Sequence, residues 1–221
     1  MKENIARFLH RMGVSADLLT FTGLGLAAAS GWFIFESQLF VAGLFLIASG
    51  LVDMRDGAVA RVSGKQSAFG GILDSSLDRY GDGFVFGGIF FYAWVHARPD
   101  MALLALLSWI GAFSISYVRA RAECEIGSCR VGFWERGERI GFLAAGLLAG
   151  NLAFVVYVLG LGTHWTVFQR MRLAQWTLSR GSADTAQLPG YLKPLSRSSG
   201  SYLIKVGLLI GILVGLKFLS S

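Results

Sequence analysis

The stretch DMRDGAVARVSGKQSAFGGILDSSLDRYGD, from Asp53 to Asp82, decides how the rest of the chain is read. It sets five carboxylates between two long apolar runs. Asp53 and Asp56 stand three residues apart, and Asp74, Asp78 and Asp82 four apart, so on helices each group shares one face. Carboxylates are costly in a membrane setting, and a cluster of them there marks a functional site.

The surroundings are of that kind. Hydrophobic residues make up 54% of the chain and charged residues 15%, where a soluble domain carries roughly 25%. With a mean hydropathy of +0.56, an all-α integral membrane protein is expected. At about 20 residues per span, its length allows six or seven spans. The N-terminus, MKENIARFLHRMG, has no cleavable-leader pattern, and its start is expected to be retained. Net charge is +6, with basic clusters at span ends that mark cytoplasmic loops and attract anionic groups. There is no basic soluble face for nucleic acid. Cys124 and Cys129 have no second pair or nearby His, so neither a zinc site nor a disulfide is expected.

In chain order, residues 3–12 read as a short interfacial helix, with Ile5, Phe8, Leu9 and Met12 on one side and Arg7, His10 and Arg11 on the other. Ser15 or Asp17 caps the first span, about Leu18–Phe35. The second span runs from Leu39 to Ala60, a polar connection covers Arg61–Gly70, and the third span runs from Gly71 to His96. Arg98-Pro99-Asp100 makes a turn before the fourth span, Met101–Ala122. A polar loop is expected over Glu123–Glu138, then a short fifth span, Arg139–Leu148, a turn at Asn151 and a sixth span, Leu152–Trp176. Residues 179–201 form a linker, and 202–218 suit a possible seventh, C-terminal span. This divides the chain into a membrane domain (1–178), a linker (179–201) and a C-terminal hydrophobic helix (202–221). There is no internal repeat.

Carboxylates from two adjacent helices can converge on a small volume. Oxygen-only donors favour magnesium, manganese or calcium over zinc, and a pair of such ions suits phosphoryl transfer. Gly57, Ala58, Ala60, Gly70 and Gly71 allow close backbone approach, and Arg61 can contact a phosphate. The combination describes a pocket for a metal-bound diphosphate. Solvated, ion-paired helix ends are the simpler explanation for any one carboxylate, but not for the whole spacing. A divalent-cation transporter would explain the acids but not the glycine, alanine and arginine positions between them.

Asp53, Asp56, Gly57, Ala60, Arg61, Gly70, Asp74 and Asp78 reproduce the fixed positions DxxDGxxAR, eight residues, GxxxDxxxD. In this the chain resembles the CDP-alcohol phosphotransferases. The resemblance implies six core spans and transfer of a substituted phosphate from a CDP-linked lipid donor to an alcohol, with release of CMP. It makes Asp53, Asp56, Asp74 and Asp78 the set that binds two Mg2+ (or Mn2+), with Asp78 as general base. Gly57 and Gly70 would face the nucleotide and Arg61 its diphosphate. Asp82 becomes a further ligand or a group behind the ligands.

SADLLT (15–20), SYVRARAE (116–123), ERGER (135–139) and QR (169–170) are similar to the phosphatidylinositol phosphate synthase branch. The similarity covers roughly residues 5–178 and implies inositol 1-phosphate as acceptor. Arg119, Arg136 and Arg170 would bind its phosphate, with Asp17 and Thr20 nearby. Positive-inside topology alone also places basic residues at such span ends. The chain departs from the branch at Ala16 and Gly137, where Pro is usual, and at Arg119, where Lys is usual. Glycerol phosphate, serine or inositol as acceptor, and CDP-archaeol or CDP-inositol as donor, are the alternatives. A homodimer in the cell inner membrane, its active site facing the cytoplasm, is expected.

Overall fold

Six α-helices account for most of the described residues of the computed structural model, which are 15–62, 67–180 and 189–192. They are α1 (Ala16–Phe35), α2 (Leu39–Val62), α3 (Ala68–Val95), α4 (Pro99–Ile126), α5 (Arg136–Ala149) and α6 (Leu152–Arg180), followed by a 3-10 turn at Gly190–Leu192. No strand occurs among the described residues. The side chains of 55–62 lie outside the described part, as do the expected interfacial helix at 3–12, residues 63–66 of the polar connection, most of the linker and the C-terminal apolar run.

Local chemistry sets the helix ends. Ser15 caps α1, its Oγ accepting from the Leu18 N–H at 3.1 Å, and Asp17 lies in the first turn. Ser67 caps α3 in the same way, accepting from Gly70 N–H at 2.9 Å. Two expected boundaries shift. The turn before α4 falls at His96 and Ala97, and Pro99 opens the helix, since proline at a first helical position gives up no needed N–H. The expected loop over Glu123–Glu138 contracts to the segment between α4 and α5. The pairs Arg119–Glu123 (3.0 Å) and Arg121–Glu125 (2.8 Å), each four residues apart, carry α4 on to Ile126. Gly127, at φ 73°, then ends it.

The chain forms two compact units divided between Arg98 and Pro99. In the first, α1 packs along both α2 and α3. Ser30 Oγ donates to Ala42 O at 2.9 Å, and Ser49 Oγ donates to Gly23 O at 2.8 Å, tying α1 to α2 at two levels. Against α3 the contact is backbone to backbone. A Cβ added at Gly31 would collide with the Phe84 carbonyl, and one at Gly88 with the Gly31 carbonyl. Small residues at such a crossing let the helices approach to full van der Waals contact.

In the second unit α6 is the central element, packed against α4, α5 and the 3-10 turn. Trp134, just before α5, sets its indole where a Cβ at Gly162 of α6 would otherwise stand, and the backbone N–H of Trp134 donates to Thr166 Oγ1 at 3.3 Å.

Helices α1, α4 and α6 are long and apolar enough to cross a membrane. The apolar part of α2 is shorter, Leu39–Met54. Helix α5 has 14 residues, about 21 Å at 1.5 Å per residue, against a hydrocarbon core of roughly 30 Å.

Introducing a side chain at the α1–α3 crossing tests this packing. Gly31→Val is expected to cost about 3 kcal/mol, as overpacking against a rigid backbone does, read as a lower unfolding temperature of the detergent-solubilised protein. Gly25→Ala, where a Cβ would meet nothing within 4 Å, is expected to leave it unchanged.

Candidate active site

The first unit brings three carboxylates together. Asp53 comes from the second half of α2, and Asp74 and Asp78 from successive turns of α3. One carboxylate oxygen from each lies within 4.8 Å of the others. All three are half-buried, and Asp74 Oδ1 is shielded from solvent. α1, shared by the two helices that carry the acids, fixes their separation.

The donor chemistry fits a hard divalent cation. Three carboxylates at this spacing supply oxygen ligands and negative charge with no imidazole or thiolate among them. Asp82, half-buried one turn further along α3, is outside this group. Gly70 lies in the first turn of α3, where a Cβ would meet Ser67 Oγ at 3.0 Å. Asp17 is exposed in the first turn of α1, and Thr20 Oγ1 donates to the Ala16 carbonyl at 3.1 Å. Asp56, Gly57, Ala60 and Arg61 fall on α2, with their side chains outside the described residues.

The second unit gathers the basic residues. Arg170, on α6, is 1% exposed. Its Nε donates to Val131 O at 3.1 Å, one Nη to Ile115 O at 2.7 Å and the other to Glu135 Oε1 at 3.3 Å. Arg119, on α4, donates from Nε to Glu123 Oε1 at 3.0 Å, and its Nη1 lies 3.8 Å from the same Glu135 oxygen. Arg136 opens α5 directly after Glu135, with Nε and Nη1 shielded from solvent. Arg139, also buried, donates to Trp134 O at 3.0 Å.

Two acidic residues that sequence reasoning passed over organise this group. Glu135 links Arg119 to Arg170, and Glu123 holds Arg119 while also accepting the Cys129 N–H at 3.3 Å. The spacing of Arg119 and Glu123 signals their pairing. Glu135 gives no such signal, because its partners come from other helices. Both cysteines are free thiols, Cys124 exposed and Cys129 buried. Burial pushes the Cys129 thiol above its ordinary range, against the opposing pull of Arg170.

The chain is similar to known proteins in sequence and in fold. The model of the CDP-alcohol phosphatidyltransferase family matches residues 14–178. The chain is 39% identical to an archaetidylinositol phosphate synthase of Methanothermobacter thermautotrophicus over 168 residues, covering 73% of this chain and 83% of that one. It is 32% identical to a phosphatidylinositol phosphate synthase of Mycobacterium tuberculosis over 197 residues, covering 84% and 90%. Crystal structures of phosphatidylinositol phosphate synthase from M. tuberculosis are similar in fold. With CDP-DAG bound, that enzyme superposes with a TM-score of 0.73 at 29% identity, over 80% of this chain and 94% of that one. Its complex with manganese and citrate gives 0.72 at 31% identity, over 80% and 90%.

Two outcomes are expected from this geometry. Glu135→Ala leaves the buried Arg170 with only carbonyl partners and is expected to lower stability by about 2 kcal/mol, less than a fully buried pair because Glu135 is partly exposed, as measured by thermal unfolding. On treatment with N-ethylmaleimide, Cys124 is expected to alkylate first because it is exposed. Cys129 has its thiolate deferred to higher pH and stays unlabelled, as peptide mass spectrometry would read.

Proposed function

The chain belongs to the CDP-alcohol phosphatidyltransferase family, and from that premise we propose that it transfers a phosphatidyl group from CDP-diacylglycerol to inositol 1-phosphate, releasing CMP. The observation that carries the reaction class is the convergence of Asp53, Asp74 and Asp78 within 4.8 Å. The acceptor is supported by two kinds of evidence. Relatives from an archaeon and a mycobacterium are both named as synthases of an inositol phosphate lipid. Here, too, arginines from two helices, Arg119 and Arg170, meet at one carboxylate, an arrangement that suits a phosphorylated acceptor better than serine or free inositol. A family of transferases leaves the cation-transporter alternative without support.

Asp53, Asp56, Asp74 and Asp78 would hold the divalent ions, two Mg2+ or Mn2+. When bound, these ions neutralise the donor diphosphate and the charge that develops on the leaving CMP. Asp78 accepts the proton of the acceptor hydroxyl. The freed oxygen attacks the phosphorus that bears the diacylglycerol, and the bond from that phosphorus to the oxygen of the CMP phosphate breaks, its electron pair leaving with CMP. Gly57, Ala60 and Gly70 let the nucleotide approach the backbone, and Arg61 contacts the diphosphate. Arg119, Arg136 and Arg170 hold the acceptor's phosphate, and by the resemblance Asp17 and Thr20 are lining residues. Placement and charge supply most of the rate, as in other phosphoryl transfers.

The same reading assigns residues 1–178 as the catalytic membrane domain, 179–201 as a linker and 202–221 as a C-terminal hydrophobic helix. It gives the chain six spans in the cell inner membrane, with the site facing the cytoplasm, in a homodimer. For α2, α3 and α5 the polar ends and short apolar lengths then reflect helices that lower their acids and arginines toward the headgroup level.

CMP release from CDP-diacylglycerol, with inositol 1-phosphate, inositol, glycerol phosphate and serine offered separately, is expected to be stimulated by inositol 1-phosphate alone; stimulation by another alcohol in its place would refute the acceptor. Asp78→Asn is expected to reduce turnover by at least about 100-fold, the scale of a general base, while CDP-diacylglycerol still binds. Full activity in that variant would refute the assignment of the base.

A further inference from the structure

The segment Pro189–Leu192 lies beyond the residues that the family model matches and well past Arg180, the last residue of α6. It nevertheless packs into the second unit. Leu192 is 1% exposed, seated in a cluster with Ala122, Cys129, Val131 and Leu173. Tyr191 O accepts from Gln169 Nε2 at 2.7 Å.

Four of the five residues in that contact, all but Leu173, adjoin Arg170 or a group that holds Arg119 or Arg170. Val131 supplies the carbonyl that takes Arg170 Nε. Cys129 gives its N–H to Glu123, the carboxylate on Arg119, and Ala122 directly precedes Glu123. Gln169 directly precedes Arg170. Without Leu192, the buried faces of Cys129 and Val131 would be open to water on one side. The loop carrying them has two glycines at positive φ, Gly127 at 73° and Gly132 at 98°, and little regular structure to hold it otherwise.

We propose that Pro189–Leu192 is a clip that positions the acceptor-binding arginines. By seating Leu192 on Cys129 and Val131, it fixes the 127–135 loop and, through it, the orientations of Arg119 and Arg170. Leu192 touches no substrate and acts only through the loop. This inference rests on the reading of those arginines as the acceptor-phosphate site.

The test compares the full-length enzyme with Leu192→Asp and Leu192→Met in detergent micelles containing CDP-diacylglycerol. Two readouts are taken: KM and kcat for each substrate, and alkylation of Cys129 by N-ethylmaleimide with exposed Cys124 as internal reference. In Leu192→Asp, Cys129 becomes labelled and KM for inositol 1-phosphate rises about tenfold, while KM for CDP-diacylglycerol and kcat stay within twofold. Leu192→Met restores both readouts. Unchanged labelling of Cys129 overturns the clip. Labelling with no change in acceptor KM, or a fall in kcat alone, reduces Leu192 to a packing residue and overturns the positioning role. Failure of the acceptor reading would appear in the unaltered enzyme, as CMP release that no phosphorylated alcohol stimulates, whereas failure of the clip appears only in the variants.

Discussion

Three carboxylates held within 4.8 Å of one another repel. At an effective dielectric of about 20, two full charges at that distance cost roughly 3 kcal/mol. A chain that maintains such a cluster must supply both a rigid frame and positive charge. The frame is α1, which presses its backbone against α3 at Gly31 and Gly88 and is bonded to α2 through Ser30 and Ser49. Neither acid-bearing helix can drift from α1 without losing backbone contact or a buried hydrogen bond. The charge is what divalent ions would bring, and the repulsion that the frame sustains becomes affinity for them.

The second unit applies the opposite sign of the same constraint. A guanidinium buried as deeply as that of Arg170 must have its donors met, and they are met by two carbonyls and a carboxylate drawn from different segments. The fold around it therefore depends on the short loop between α4 and α5, a segment with no regular structure of its own. Glu135 serves this unit twice, as the N-cap residue of α5 and as the carboxylate that faces both Arg119 and Arg170. Its charge lets two cations stand near each other.

Much of the first unit was legible in the sequence, because its determinants are local. The helical spacing of Asp74 and Asp78, the cap at Ser15 and the length of the apolar runs are all properties of contiguous residues, and α1 to α3 follow them within a few positions. Less of the second unit could be read. The extension of α4 to Ile126 depends on ion pairs that a hydropathy reading treats as loop residues. The role of Glu135 depends on partners 16 and 35 positions away in the chain, for which no periodicity exists. The seating of Leu192 was hidden for the same reason, since a lone leucine in a serine- and proline-rich stretch has no pattern to announce it. Of the candidate site, spacing marked the five acids of the stretch, resemblance named four of them as ligands, and the convergence of Asp53, Asp74 and Asp78 emerged with the fold. The arginines were named from resemblance, and the acidic residues that orient them emerged only with the fold.

The account stands or falls on what Asp53, Asp74 and Asp78 hold. Crystals of the protein grown with Mn2+, measured at the manganese absorption edge, would locate the ion by its anomalous scattering without reference to activity. The account predicts a strong peak within about 2.0–2.4 Å of carboxylate oxygens from these three residues, a distance typical of hard divalent ions, and loss of that peak in Asp74→Ala. A peak elsewhere in the chain, or none at these aspartates with the protein otherwise ordered, would contradict it.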